Sequence, residues 1–357
     1  MSWFLAIVAI SALIVIHEFG HFAVAKAVGL RVERFSLFFG PPIFSVTRGE
    51  TEYTVGSIPL GGYVRVTGQD PRVEVPPELK ARSYYSVSVG RRMLFILAGP
   101  VANLVLAFVI AWIAILSFGV YESSTKVDTQ GLTQPAVQYL RPGDQVLSVD
   151  GKGGGGAAIS QAIASHHCAG TPRAGCLATT PARFVVRRDG RTLTFNIRPR
   201  YDASYGRARV GLQFAVSHRG VTVARAASLS LTQLWDVTKQ TTHAFTHILT
   251  PAGRKQLNGI VGGVYVTQQA ISSNAEQALI LIAMISLALG LANLLPILPL
   301  DGGHLLWALV EKLRGRPVPY AVMERAAVVG IFLILALAYV GLTNDINDIG
   351  NGSLHLR

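Results

Sequence analysis

The chain has 357 residues, half of them hydrophobic and only 15% charged, with a formal net charge of +12. That is too apolar for an ordinary soluble domain of this length, so membrane spans are the first expectation. Nucleic acid does not account for the basic balance, because no basic-aromatic stripe or DNA-reading motif accompanies it.

In chain order, four stretches approach the roughly 20 residues that cross a hydrocarbon core. They are Ser2 to Val28, interrupted by the cluster at His17 to His21 and by Lys26; Met93 to Val120; Leu279 to Leu300; and Ala326 to Leu342. The first reads as a span rather than a signal peptide, since no positive charge precedes its apolar run and no small-residue cleavage site follows. Ionisable groups at that depth are expensive and usually functional. Residues 31 to 66 read as strands: short alternating runs bounded by Gly40-Pro41-Pro42, Arg48-Gly49 and Pro59-Leu60-Gly61-Gly62. Arg72 to Lys80, with two prolines and a third just before it at position 71, reads as a linker. From Thr125 to Arg200 the composition turns soluble, with β-rich runs at Gln145 to Val149, Arg183 to Arg187 and Thr192 to Arg198, enough for one small β-dominated domain. Ala224 to Leu249 has helical, mixed polarity and suits a membrane surface.

Charge placement predicts orientation. Ten Lys/Arg lie between Lys26 and Arg92 and four more between Lys312 and Arg325, which puts both connections on the cytoplasmic side and both termini, with 121 to 278, outside. The two cysteines, Cys168 and Cys176, fall in that outer segment, where a short disulfide-closed loop is expected and two unpaired thiols are the alternative.

His17-Glu18-Phe19-Gly20-His21 carries the chemistry. On a helix, residues i and i+4 share a face, so both imidazoles can reach one Zn²⁺ with Glu18 beside them as general base. An internal control is His243-Ala244-Phe245-Thr246-His247, with the same spacing but no glutamate and ordinary polarity, which reads as a solvated or interfacial helix face. A catalytic zinc wants a third, distant ligand, and Asp301, after the helix-breaking Pro296 and Pro299, supplies it; the lesser alternative is an aspartate that caps the next helix at a membrane border. Depth agrees: His17 lies about 22 Å beyond Ser2 and Asp301 about 33 Å beyond Leu279 along parallel spans, at about 1.5 Å per residue. Gly99-Pro100-Val101-Ala102-Asn103 begins the antiparallel second span at the same level.

These segments resemble the site-2 protease family over nearly the whole chain, most nearly the bacterial regulator-of-sigma-E protease group. HEFGH matches its HExxH, Gly99 to Asn103 its GPxxN, and Asn293 to Gly302 its NxxPxxxLDG; Pro59 to Val64 and the PDZ-like strand and turn at Tyr139 to Gly151 also match. The resemblance implies His17, His21 and Asp301 as zinc ligands, Glu18 as base, Asn293 on substrate backbone and Asn103, grouped with the substrate-binding residues, shaping the site. It implies that Gly61, Gly62 and Tyr63 belong to a membrane-associated β-hairpin that pairs with an extended substrate. A single PDZ-like segment stands where the group often carries two.

The expected architecture is a polytopic α-helical membrane protein with about four transmembrane helices, a membrane-associated β-hairpin region and one extracytoplasmic β-rich PDZ-like domain. The segments are transmembrane helices at 1–28, 93–120, 279–303 and 326–343, the hairpin at 29–68, cytoplasmic connections at 69–92 and 304–325, the PDZ-like domain at 121–203, an amphipathic segment at 204–278 and a tail at 344–357. The implied activity is zinc-dependent hydrolysis of single-span membrane proteins in the inner membrane, such as anti-sigma factors or remnant signal peptides, after an upstream site-1 protease. Two rivals stay open: a metal transporter, which needs ligands strung along a path, and a silent PDZ scaffold, which has no need of Glu18.

Overall fold

The computed structural model describes residues 1–357 apart from 71, 129–131, 248–249, 255–258 and 351–357. In chain order the elements are α1 (Ser2–Ala27), β1 (Val32–Arg48), β2 (Thr51–Val66), a 3-10 turn (Pro77–Arg82), α2 (Val89–Phe118), β3 (Val120–Val127), β4 (Gln145–Val149), α3 (Gly156–Ala164), β5 (Ala182–Arg188) and β6 (Arg191–Ile197). They continue with β7 (Arg200–Asp202), β8 (Arg207–Arg209), β9 (Phe214–Arg219), α4 (Val223–His247), α5 (Pro251–Arg254), α6 (Ile260–Ser273), α7 (Ala275–Asn293), α8 (Asp301–Arg314) and α9 (Tyr320–Gly350). The chain divides into two compact units, Met1–Leu116 with Thr222–Arg357, and Ser117–Val221.

Helices α1, α2, α7 and most of α9 are long and apolar enough to cross a membrane, which makes this a multi-pass membrane protein. Their buried residues show how they pack. On α1 these are Ala6, Leu13, His17, His21 and Ala25, a single stripe at helical spacing that carries both histidines of the motif. The stripe on α2 is mostly small, including Gly99, Asn103, Ala107, Ala111 and Ala114, so backbones can approach closely where lipid offers no hydrophobic drive. Pro100 lies inside α2 without ending it, as neighbouring helices permit in membranes.

Strands β1 and β2 are long and fold back on each other. Residues 42 to 48 pair with 51 to 56, these pair with 34 to 37, and 32 to 37 pair with 62 to 66, giving a sheet whose last rung, Gly62 to Val66, is an edge among the described residues. Bulges along the register let two strands of 17 and 16 residues do this. The bend within β1 at Phe39, Ile43 and Phe44 is exposed.

The second unit is a five-stranded antiparallel sheet in the order β6-β5-β4-β3-β9, with β7 and β8 forming a separate pair. Its core joins Val146, Val149, Phe184, Val186 and Ile197 of the strands to Ile159 of α3. Asp144, almost fully buried, accepts from the guanidinium of Arg188 at 2.7 and 2.8 Å and from the Arg141 backbone N–H, fixing the turn of the Arg141-Pro142-Gly143-Asp144 segment. Cys168 and Cys176 are joined in a disulfide.

Several boundaries differ from the expected ones. Helix α2 starts at Val89 rather than Met93, so Arg91 and Arg92 are helical, not linker. The expected span at 279–303 is two helices, α7 ending at Asn293 and α8 beginning at Asp301, because Pro296 and Pro299 prevent continuation. Strands β8 and β9, from the expected amphipathic segment, complete the second unit, since β9 pairs with the distant β3. Helix α9 continues to Gly350, and residues 351–357 of the expected tail lie outside the described residues.

Candidate metal and catalytic site

The site forms where the buried stripe of α1 meets α2 and the break between α7 and α8. His17 and His21 point from α1, and Asp301 enters as the first residue of α8. His17 Nε2 lies 3.1 Å from Asp301 Oδ2, His21 Nε2 lies 3.3 Å from the same oxygen, and the two Nε2 atoms are 3.3 Å apart. No other His/Cys/Asp/Glu group of this kind occurs among the described residues.

Hydrogen bonds behind the rings decide which nitrogens face the centre. His21 Nδ1 is 2.8 Å from the Phe95 carbonyl, which can only accept, so Nδ1 carries the proton and Nε2 presents a lone pair. That lone pair faces a carboxylate oxygen and a second imidazole nitrogen. Three donors converging on one point repel unless a cation or proton lies between them. Around a tetrahedral ion with ligands at about 2.0 to 2.1 Å, donors sit about 3.3 Å apart, so the triangle matches a metal ion such as zinc.

Gly99 makes this approach possible. A Cβ at that position would stand 2.8 Å from His17 Nε2 and closer still to His21 Nε2, so the glycine of the GPxxN segment is the wall of the ion's cradle. Asn103, fully buried one turn further on, has its side-chain nitrogen 3.3 Å from His17 Nδ1, while its carbonyl accepts from Ser286 of α7 at 2.9 Å. With an ion on His17 Nε2 the Nδ1 proton needs an acceptor, and the Asn103 amide can turn its oxygen to it. Asn103, grouped with the substrate-contacting residues by its motif, is therefore behind the ligand rather than on the cavity wall.

The remaining expected residues do line one cavity of about 440 Å³, which holds His17, Glu18, His21, Gly61, Gly62, Tyr63, Asn293 and Asp301. Glu18 shares its α1 turn with the ligands and faces the edge rung of the sheet: a Cβ on Gly62 would lie 2.9 Å from Glu18 Cγ. Tyr63 stacks on Phe39 with centroids 6.1 Å apart, and Arg34 donates to its hydroxyl at 3.3 Å. Asn293 Nδ2 donates to the Leu289 carbonyl at 3.1 Å, which leaves its oxygen for another donor. By contrast, His243 and His247 stack on each other on an exposed face of α4.

A match to the model of peptidase family M50 spans residues 5–337. The chain belongs to that family. It is 31% identical to metalloprotease MmpA of Caulobacter vibrioides, covering 95% of this chain and 93% of that protein. It is 30% identical to a candidate zinc metalloprotease of Nostoc sp., covering 94% and 93% of the two chains, and 30% identical to another of Campylobacter jejuni, covering 96% and 92%. With its metal-binding triad, this M50 peptidase is a metalloendopeptidase.

Sequence reasoning missed two parts of the M50 site. One is His304, one turn after Asp301 and on the cavity wall. The other is a clasp: Arg92 of α2 donates to both oxygens of Glu311 of α8 at 2.9 and 2.6 Å, buried between the rings of Tyr84 and Tyr85. Glu311 lies on the same stripe of α8 as Asp301 and His304, so the clasp fixes the rotation of the helix that delivers the third donor. The charge of Arg92 was legible only as a topology signal; its partner, 219 residues away, was not.

Proposed function

We propose that this chain is an intramembrane zinc protease of the site-2 type, nearest the bacterial regulator-of-sigma-E proteases, which hydrolyses peptide bonds of single-span membrane proteins. The carrying observation is the triangle of His17, His21 and Asp301 donors at 3.1 to 3.3 Å, beside Glu18 and an edge strand in one cavity. His17, His21 and Asp301 hold the zinc. When bound, the ion supplies a Lewis acid for the scissile carbonyl and makes water acidic enough to attack near neutral pH. Glu18 takes the proton from that water and returns it to the leaving amine.

A helical substrate hides its amides, so it must unwind before water can reach a carbonyl. The edge rung at Gly62 to Val66 offers backbone groups to an extended segment and lays it against Glu18, with Asn293 hydrogen-bonding the substrate backbone from the opposite wall. The absence of a side chain at Gly62 lets Glu18 lie close against this strand. In this reading both basic connections are cytoplasmic, the protein sits in the inner membrane, and the unit Ser117–Val221 is an extracytoplasmic PDZ-like domain that restricts entry to substrates already trimmed by a site-1 protease. Anti-sigma factors and remnant signal peptides fit that description. Clustering of the donors at one point, rather than along a path, favours a protease over a transporter.

The test is zinc analysis of the purified protein and cleavage of a tagged single-span reporter by wild type and Glu18→Gln. Stoichiometric zinc in both, with cleavage lost by more than about 1,000-fold in the variant, is expected. Equal cleavage would remove the protease reading.

A further inference from the structure

A second polar ring on the catalytic wall has no role in the scheme above. His304 lines the same cavity as Glu18, His21, Asn293 and Asp301. It also lines a smaller cavity of about 80 Å³ with Gln69 and Tyr84, both of which border the larger one too, so the imidazole is part of the partition between them. It does not belong to the group whose ligand atoms lie within 4.8 Å of one another, so it is not a fourth metal donor. Its backbone N–H is tied to the Leu300 carbonyl, and its ring has no hydrogen-bond partner among the described residues.

The side chain is partly buried on the cavity wall, and its ring nitrogens, which no hydrogen bond occupies among the described residues, are placed to meet a group that enters the cavity. An apolar residue would fill the wall but offer no donor. The position is also rigid. His304 stands on the helical turn that begins at Asp301, and that helix is held at its other end by the Arg92–Glu311 clasp, so the ring keeps a fixed relation to the metal donors. A donor fixed on the wall of a reaction cavity is suited to stabilise charge that develops during a reaction and is absent before it.

Resting on the zinc-protease reading, we infer that His304 is a substrate-contacting catalytic residue: its ring N–H donates to the carbonyl oxygen of the scissile peptide as that oxygen gains negative charge. In the hydrolysis, water oxygen bonds to the carbonyl carbon, the C–N bond breaks, and the proton taken by Glu18 leaves on the amine. His304 exchanges no proton in this balance.

The experiment uses the full chain, the tagged single-span reporter and the variants His304→Phe, which keeps the ring volume without a donor, and His304→Gln, which keeps a donor. For His304→Phe we expect kcat to fall by about 100-fold with KM within about threefold of wild type and zinc content unchanged. His304→Gln should recover to within about tenfold of wild type. In a Glu18→Gln background, adding His304→Phe should leave co-purification of the reporter unchanged, because the bond matters only as charge develops. Wild-type cleavage by His304→Phe, loss of its zinc, or loss of reporter binding would each overturn the assignment. If His304→Phe fails to accumulate, His304→Gln decides: a rate within tenfold of wild type supports the donor, and a rate as low as Glu18→Gln refutes it. If wild type and Glu18→Gln cleave alike, the protease reading itself fails and this assignment with it.

Discussion

At the scale of single residues, the site depends on atoms that are missing as much as on those present. Gly99 lies on α2, far from the histidines of α1 in the chain, yet a methyl group there would crowd both imidazole nitrogens that face the metal centre. Gly99→Ala should therefore lower zinc affinity by about 10 to 100-fold, the range typical of a disturbed ligand shell, while the protein still accumulates in the membrane; zinc titration of the purified variant measures it. Retained wild-type zinc affinity would mean that the α1–α2 approach is not what shapes the cradle. The tautomer of His21 follows the same logic. A backbone carbonyl, Phe95, fixes it, and a backbone partner leaves no mark on the identity of residue 95.

At the scale of elements, two contacts hold the site's supports together. Removing one partner of a buried ion pair strands the other charge, at a cost of about 3 to 5 kcal/mol, so Glu311→Gln should both destabilise the protein and loosen Asp301. The expected result is a lower thermal midpoint together with weaker zinc binding, and reversing the pair with Arg92→Glu and Glu311→Arg should restore part of each. A stability loss with unchanged zinc affinity would show that the clasp does not position α8. The hairpin has a second tie. Glu50, between β1 and β2, accepts from Arg82 at 2.7 and 2.8 Å and from Lys26 at 2.8 Å. The Arg82 bonds first, then that of Lys26, hold its carboxyl well below the usual range, at about 2. A depressed carboxylate stabilises the fold fully above its unfolded pKa of about 4.5, and this contribution fades as pH falls through about 2. Because the groups are about one-third exposed or more, solvent screening reduces the effect to about 1 kcal/mol or less. Hydrogen-exchange protection factors at the hairpin, corrected for the intrinsic pH dependence of exchange, should fall between pH 4.5 and pH 3 in wild type more than in Glu50→Gln; an equal fall would remove Glu50 as the cause.

At the scale of the whole molecule, the proposed orientation makes one prediction that does not depend on catalysis. A membrane-impermeant thiol reagent applied from outside should label a cysteine placed at Tyr205 in the second unit and spare one placed at Leu313, both exposed positions on the protein. Labelling of both from one side would overturn the four-span arrangement. The oxidised Cys168–Cys176 pair suits the same compartment.

Sequence by itself determined the parts that rest on periodicity and chemistry. Uncharged runs of membrane length specify spans, i and i+4 histidines with an intervening glutamate specify one helix face, and two prolines specify the break before Asp301, because each is a local rule. The rest was decided by tertiary structure. The sheet edge opposite Glu18 exists because β1 and β2 fold back on one another, and strand β9 reaches the second unit by pairing with β3. Arg92 meets Glu311, and His304 comes to face the cavity, only once α8 is docked on α2. Such contacts join residues far apart in the chain, and no local pattern marks a residue for a partner it meets only through packing.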